Sequence, residues 1–327
     1  MYTRLPVPQP ILDFIGEGSF FLVAGHREPD GDCAGSQLAL GALLERLGKD
    51  VTLISAGPWD RAEIAPFRER FKDTVDGHDR QNTRLIVVDC STLERVGKRE
   101  SALLAALAEF PTAFIDHHKT ADRTGLCYIN PTAPASAALV LALWEAFGQP
   151  LTQEAAAYLL FGLSTDTGFF RHLDADAETL ADAQKLAAAG ASLKKTFAAI
   201  NGGRTLNSRK LLGTVLAKAE SYYDGRLVVC TEEREETERF GRENRDSDML
   251  YQLLQSVGGV EAIVVVRQDT PEKCVIGFRS KDAVDVSAIA AAFGGGGHKN
   301  AAGASVEGVI SELKAQVIEQ FYVPFGR

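Results

Sequence analysis

An apolar run, Thr112 to Ile115, leads without a break into Asp116-His117-His118-Lys119. A buried strand that ends abruptly in an acid and two imidazoles is the pattern of an open α/β sheet, which places its chemistry at the carboxyl ends of its strands. Side chains alternate along a strand, but at its end the chain can turn both imidazoles to one side. In isolation His117-His118 would read as a hydrogen-bonded structural pair. Its weight comes from three other acidic or histidine-bearing stretches of the chain.

Those stretches also follow apolar runs. A first strand, Phe20 to Ala24, precedes the loop GHREPDGDCAG (Gly25 to Gly35), an amphipathic helix near Ser36 to Leu47 and a strand at Val51 to Ser55, which together make a βαβ start. A short helix at Ile11 to Ile15 stands before it, and the charged segment Trp59 to Asp76 reads as surface. A third strand, Arg84 to Asp89, ends in VVDCS, and the fourth is the one that reaches Asp116. Four alanine- and leucine-rich helices follow, at Ser136 to Phe147, Gln153 to Leu163, Ala177 to Ala189 and Leu193 to Ile200, with the loop STDTGFFRH (Ser164 to His172) between the second and third. NGGR at Asn201 to Arg204 is a break, and Leu206 to Ala219 reads as a helical connector. β-character then returns at Leu227 to Cys230, Ala262 to Arg267 and Cys274 to Arg279, with helices at Asp246 to Val257, Val286 to Phe293 and Val309 to Phe321. The expectation is an α/β protein of two domains. Residues 1–200 form a mostly parallel sheet flanked by helices, 201–219 a connector, and 220–327 a smaller α/β cap.

A chain of 327 residues has room for two cores, and its 45% hydrophobic and 24% charged content is ordinary for a globular protein. Its net charge of -9 argues against a broad basic surface for long or duplex nucleic acid. It leaves room for a small anionic substrate, because bound divalent ions invert the local field. The five dispersed cysteines read as reduced core thiols. Pro6, Pro8, Pro10, Asp13 and Glu17 break up any secretory apolar segment, and the apolar run Ala135 to Trp144 is too short to span a bilayer, so a cytoplasmic protein without membrane attachment is expected.

The chemistry-bearing residues are His26, Asp30 and Asp32 in the first loop, Asp89 and Asp116-His117-His118 at later strand ends, and Asp166 at a helix-to-loop turn. Gly31 is expected to let the chain turn sharply between its two aspartates so that both face one point. Each element has a plainer reading: Asp-Gly-Asp is a turn, and a strand-end aspartate is a helix cap. Taken together they crowd four or more carboxylates with two or three imidazoles, which is costly without a cation among them. Mixed oxygen and imidazole donors suit Mn²⁺ best, with Mg²⁺, Co²⁺ or Zn²⁺ as alternatives. So many acids exceed the needs of one ion. Two ions roughly 3.5–4 Å apart, bridged by a carboxylate, fit phosphoester hydrolysis.

A second cluster lies in FGGGGHKNAAGAS, Phe293 to Ser305. Gly294, Gly295, Gly296 and Gly297 are expected to expose backbone N–H groups to a phosphate or sugar, and His298 and Lys299 to add donors. Arg279 in GFRSK ends a strand and suits bidentate phosphate contact, an exposed ion pair being the plainer alternative.

HREPDGD, VVDC, DHH and STDTG resemble the four motifs of the DHH phosphoesterase superfamily, and FRS with GGGGHKNAAG resembles the DHH-associated C-terminal domain. The resemblance covers essentially the whole chain and is similar in layout to the two-domain NrnA-type group of oligoribonucleases (nanoRNases) and phosphatases of 3′-phosphoadenosine 5′-phosphate. It implies one metal held by His26, Asp30, Asp89 and Asp166 and another by Asp32, Asp89, His117 and Asp166, with Asp89 as the bridge. It also implies that His118 contacts the scissile phosphate, that Asp116 orients the histidines, and that Arg279, the glycine loop and His298 hold substrate. Water would attack phosphorus in line, two Mn²⁺ ions (or Mg²⁺ or Co²⁺) would offset the developing charge, and relatives suggest a homodimer. The segment ASAALVL departs from the pattern, being mostly apolar where relatives carry a Ser/Thr-rich stretch with a glutamate.

The expected activity is hydrolysis of short oligoribonucleotides to mononucleotides, of 3′-phosphoadenosine 5′-phosphate to AMP, or of both. A cyclic di-AMP or pApA phosphodiesterase would use the same chemistry. A RecJ-like exonuclease would need added nucleic-acid-binding domains, and a family II pyrophosphatase lacks the GGGGH pattern. A non-catalytic nucleotide-binding regulator would have no need for six metal-binding side chains.

Overall fold

The computed structural model describes every residue except Met1, Asp76, His78, Arg80, Asp122, His172, Leu173, Asp174, Ala175, Asp282, Ala283 and Arg327. The end of the expected surface segment at Asp76 and of the expected loop at His172 therefore lie outside the described residues. The chain divides into two compact units, Met1–Gly203 and Arg204–Arg327.

The first unit begins with helix α1 (Gln9–Glu17), strand β1 (Phe20–Ala24), helix α2 (Gly31–Arg46) and strand β2 (Asp50–Ile54). Strands β3 (Phe71–Lys72) and β4 (Thr83–Val88), helix α3 (Ala102–Leu107) and strands β5 (Thr112–Asp116) and β6 (Leu126–Ile129) follow. Helices α4 (Ser136–Ala146), α5 (Gln153–Asp166), α6 (Ala177–Ala188) and α7 (Leu193–Asn201) complete it. The sheet order is β3-β2-β1-β4-β5-β6, and its pairings are parallel. That order reverses between β1 and β4, so the loops leaving these two strands diverge and open a crevice at their carboxyl ends.

Both faces of the sheet are covered, which is why β1, β4 and β5 read as continuous apolar runs rather than alternating ones. One face (Phe21, Val23, Ile86, Val88, Ile115) packs in a core with α1, α2, α4 and α5. The other (Leu22, Ala24, Leu85, Val87) packs with Leu107 of α3 and Phe110. Helix α4 is buried from Ser136 through Trp144, which explains why ASAALVLALW is apolar all round.

The second unit comprises α8 (Leu206–Ala217), β7 (Glu220–Tyr222), β8 (Leu227–Glu232), α9 (Arg234–Phe240), α10 (Ser247–Gln255), β9 (Ala262–Thr270) and β10 (Lys273–Ser280). It continues through α11 (Val286–Ala291), β11 (Gly296–His298), β12 (Ala301–Glu307), α12 (Ile310–Gln320) and α13 (Tyr322–Phe325). The sheet order is β11-β12-β10-β9-β8-β7, with β8 and β9 parallel and the other pairs antiparallel. Alternation along β10 sends Cys274, Ile276 and Phe278 into a core shared with α11, α12 and α13. The opposite face carries Val228, Cys230, Ile263 and Val265, which pack with Leu211 and Val215 of α8 and with Leu250, Tyr251 and Leu254 of α10.

Two expectations change here. Helix α2 starts at Gly31, not near Ser36, with Asp30 as its N-cap accepting from Cys33 N at 3.0 Å, so Asp32 lies in the first helical turn and is fully buried. Gly31 is helical and does not adopt a left-handed turn; a Cβ there would overlap Thr165 of α5. Gly35, one turn on, lets the same two helices touch, since a Cβ would lie 2.5 Å from Tyr158 O.

Candidate active site

Asp116 builds the Asp-His-His turn. Its Oδ1 accepts His117 N at 2.8 Å, His118 N at 3.2 Å and His118 Nδ1 at 2.7 Å. One carboxylate oxygen thus closes the chain just past β5 and brings both rings close, their centroids 4.6 Å apart. His118 Nδ1–H donates to Asp116, so its Nε2 is the nitrogen left for another partner. The Asp116 hydrogen bond, which outweighs partial burial, raises the His118 pKa.

Asp89 follows β4 in the left-handed region at φ 54°, a backbone that aspartate tolerates better than most residues. Its two oxygens face different histidines: Oδ2 lies 3.5 Å from His26 Nε2, and Oδ1 lies 3.5 Å from His117 Nε2 and 3.8 Å from His118 Nδ1. His26 Nε2 is also 3.7 Å from Asp30 Oδ2, and His117 Nε2 is 3.2 Å from Asp166 Oδ2 at the end of α5. Both rings have their other nitrogen committed to a carbonyl, His26 Nδ1 to Arg27 O at 2.9 Å and His117 Nδ1 to Ala133 O at 3.2 Å. With the proton on Nδ1, each Nε2 lone pair points at carboxylates, an arrangement that calls for a cation between them.

Asp32 is held by the start of α4. Its Oδ2 accepts Ser136 N at 2.6 Å, and its Oδ1 accepts Ala137 N at 3.0 Å and Ser36 Oγ at 3.1 Å. Burial, reinforced by the charges of Asp89 and Asp166, pushes its carboxyl well above the usual range. Asp166 is raised by burial too, although its bond to His117 opposes this. Burial works against charge on His117, yet its bond to Asp166 and the charges of Asp32 and Asp89 raise it to about 10. In each case the cluster draws in positive charge, and a divalent ion on the Nε2 and carboxylate atoms meets that demand better than a proton. The donor set therefore fits metal ions. Asp89, His117 and His118 offer one converging trio of donor atoms and Asp32, His117 and Asp166 another. Asp89 and His26 also converge with Cys33. Burial pushes the Cys33 thiol up to about 11, and its Sγ lies 3.5 Å from Gln37 Oε1, as expected of a neutral packing group.

The structure thus brings His26, Asp30, Asp32, Asp89, Asp116, His117, His118 and Asp166 together at the carboxyl edge of the first sheet. Sequence reasoning missed Ser136, whose hydroxyl donates to Asp89 Oδ1 at 2.9 Å, and the two α4 amides on Asp32. The apolar ASAALVL departure contains that support: a serine followed by small residues at a helix start was the available signal.

Arg279, Gly294 to Gly297, His298 and Lys299 belong to the second unit. Arg279 and His298 both pair across from Ala301, on either side of β12. Cross-strand partners share a face, so the two side chains emerge on one side of the sheet, their backbones roughly 10 Å apart. Gly294 and Gly295 play a different part from the expected one. Gly294 N donates to Ala291 O at 3.0 Å and Gly295 N to Ala290 O at 2.9 Å, so these two amides close α11. Gly297 allows β11 to approach β12, since a Cβ would sit 2.5 Å from Ala301 O. Lys299 is exposed in the turn that follows.

Residues 21–163 match the DHH family N-terminal domain, and residues 226–322 match the DHHA1 domain. A bifunctional oligoribonuclease and PAP phosphatase NrnA of Thermus thermophilus is 32% identical over 305 residues, which are 93% of this chain and 89% of the relative. The protein of the same name from Bacillus subtilis is 26% identical, covering 86% of this chain and 87% of the relative. The crystal structure of an exopolyphosphatase-related protein from Bacteroides fragilis superposes with a TM-score of 0.81 over 98% of this chain and 97% of its own, at 22% identity, and speaks for the fold. The chain belongs to the DHH family of metal-dependent phosphoester hydrolases, its DHH domain followed in sequence by a DHHA1 domain, in the group of the NrnA proteins.

Proposed function

We propose that this protein is a two-metal hydrolase that cuts short oligoribonucleotides to mononucleotides and removes the 3′-phosphate of 3′-phosphoadenosine 5′-phosphate. The observation that carries the reading is Asp89, whose two oxygens face His26 on one side and His117 on the other at 3.5 Å each, the disposition of a bridging ligand. The NrnA relatives supply the substrate class.

His26, Asp30, Asp89 and Asp166 would hold one ion and Asp32, Asp89, His117 and Asp166 the other, with Mn²⁺ favoured by the mixed donors. Such ions supply a nucleophilic water at neutral pH and offset charge on the phosphoryl oxygens. The chain's own residues do the rest. Ser136 and the Arg27 and Ala133 carbonyls fix the direction of Asp89, His26 and His117. His118, oriented by its Nδ1 bond to Asp116, presents Nε2 to a non-bridging phosphate oxygen. In the second unit, Arg279 and His298 share a sheet face and grip a terminal phosphate of the nucleotide. Among the described residues no helix is long and apolar enough to cross a membrane, and the cysteines are free, which supports a cytoplasmic enzyme.

The test is product analysis on a panel of 3′-phosphoadenosine 5′-phosphate, pApA, cyclic di-AMP, short RNA and short DNA. Faster turnover of pApA, short RNA and the bisphosphate than of cyclic di-AMP or DNA is expected. Preferential opening of cyclic di-AMP would contradict the reading.

A further inference from the structure

Tyr251 of α10 lies over the sheet face that carries Arg279. The Arg279 guanidinium carbon stands 4.6 Å from the centre of the Tyr251 ring, within cation–π range. Its Nη1 donates to Phe278 O at 2.9 Å, so one edge of the fork is tied to the backbone while its carbon stands over the ring. The Tyr251 side chain is itself pinned. It is buried at 5% exposure, and beneath its hydroxyl sits Gly277, where a Cβ would overlap the phenol oxygen. On the far side Arg267 of β9, paired with Val275 of β10, is anchored by Glu232 Oε2 at 2.9 Å and Ser247 Oγ at 3.0 Å. Gly277 does not adopt a left-handed backbone, so what it provides is space for the tyrosine rather than conformational freedom.

We infer that Tyr251 is a positioning residue for Arg279, and that Gly277 is a glycine so that the Tyr251 ring can reach its place. The inference rests on the reading of Arg279 as the group that grips substrate phosphate. An arginine already fixed on a ring loses less rotamer freedom when it closes on a phosphate. Removing the ring therefore weakens substrate binding without altering the metal-centred chemistry.

The experiment measures KM and kcat for pApA in Mn²⁺. The variants are Tyr251→Leu, Tyr251→Phe, Gly277→Ala, the Gly277→Ala/Tyr251→Phe pair, Arg279→Ala and the Arg279→Ala/Tyr251→Leu pair, with thermal midpoints recorded alongside. Tyr251→Leu and Gly277→Ala are expected to raise KM about two- to tenfold, the cost of ordering one long side chain, with little change in kcat. Tyr251→Phe keeps the ring and stays near wild type. The Gly277→Ala/Tyr251→Phe pair recovers, because the overlapping oxygen is gone and the ring carbon that bore it lies 3.4 Å from the new methyl, an ordinary contact. In the Arg279→Ala background, Tyr251→Leu adds nothing. An equal KM rise in that background, or no rise in Tyr251→Leu and Gly277→Ala while Arg279→Ala shows one, would overturn the positioning role alone. An unchanged KM in Arg279→Ala would overturn both the positioning role and the phosphate-gripping role of Arg279. Should Tyr251→Leu not fold, the glycine variant with and without its rescue decides the matter, since a general packing defect would not be cured by losing one hydroxyl.

Discussion

Asp89 and Asp116 are both strand-end aspartates beside histidines, yet their surroundings differ. Asp89 offers one oxygen to each of two imidazole nitrogens, whereas Asp116 commits a single oxygen to the backbone and ring of the histidines that follow it. Asp89→Asn is therefore expected to abolish turnover, while Asp116→Asn, which loosens the orientation of His117 and His118, lowers kcat by about 10–100-fold. Equal losses in two folded variants, judged by circular dichroism, would contradict the distinction. Ser136 makes a finer prediction. Its hydroxyl holds Asp89 Oδ1 at 2.9 Å, so Ser136→Ala should weaken metal binding by about tenfold, read by titrating the metal-stripped protein calorimetrically.

At the scale of elements, the site depends on how closely α2 and α5 approach. Asp30 and Asp32 sit at the start of α2 and Asp166 at the end of α5, and Gly35 and Gly162 let the helices touch between them. Gly35→Ala places a methyl 2.5 Å from the Tyr158 carbonyl, a backbone atom that cannot rotate away. The expected cost is about 1–3 kcal/mol of stability, measured by thermal or urea unfolding, together with weaker metal binding as the two carboxylate groups are pushed apart. A variant as stable and active as the parent would mean that the helices are not tightly constrained. Much of this was legible beforehand. The strands leading to His26, Asp89 and Asp116 announced themselves as apolar runs that end in polar clusters, because a sheet covered on both faces has no reason to alternate. The start of α2 was not legible, since Asp-Gly-Asp carries the chemistry of a turn and only contact with Thr165 shows that Gly31 is helical and closely packed. Strand β6 is apolar but only four residues long, and β11 consists of two glycines and a histidine, so the first is too short and the second too poor in apolar residues to be seen. Tyr251 looks like any core residue of an amphipathic helix, because what singles it out is a partner from a distant strand.

For the whole molecule, the charge balance sets the substrate. Long single strands are held by basic tracks interleaved with stacking aromatics. This chain carries a net charge of -9 with 8% aromatic residues, so on the proposed reading affinity comes from a few fixed groups such as Arg279 and His298. Catalytic efficiency should be highest on two to a few nucleotides and fall on a strand of about 30 nucleotides, compared at physiological salt because low salt exaggerates non-specific attraction. Equal efficiency on the long strand would contradict this. The central claim, that two ions bridged by Asp89 drive the hydrolysis, is tested most directly by stripping the protein with a chelator and following pApA turnover while Mn²⁺ is added back. The expected result is no turnover in the stripped protein, recovery that completes only at two equivalents per chain, and poor recovery with Ca²⁺, whose larger radius and higher coordination number fit this donor set badly. Full turnover in the metal-free protein, or recovery complete at a single equivalent, would contradict it.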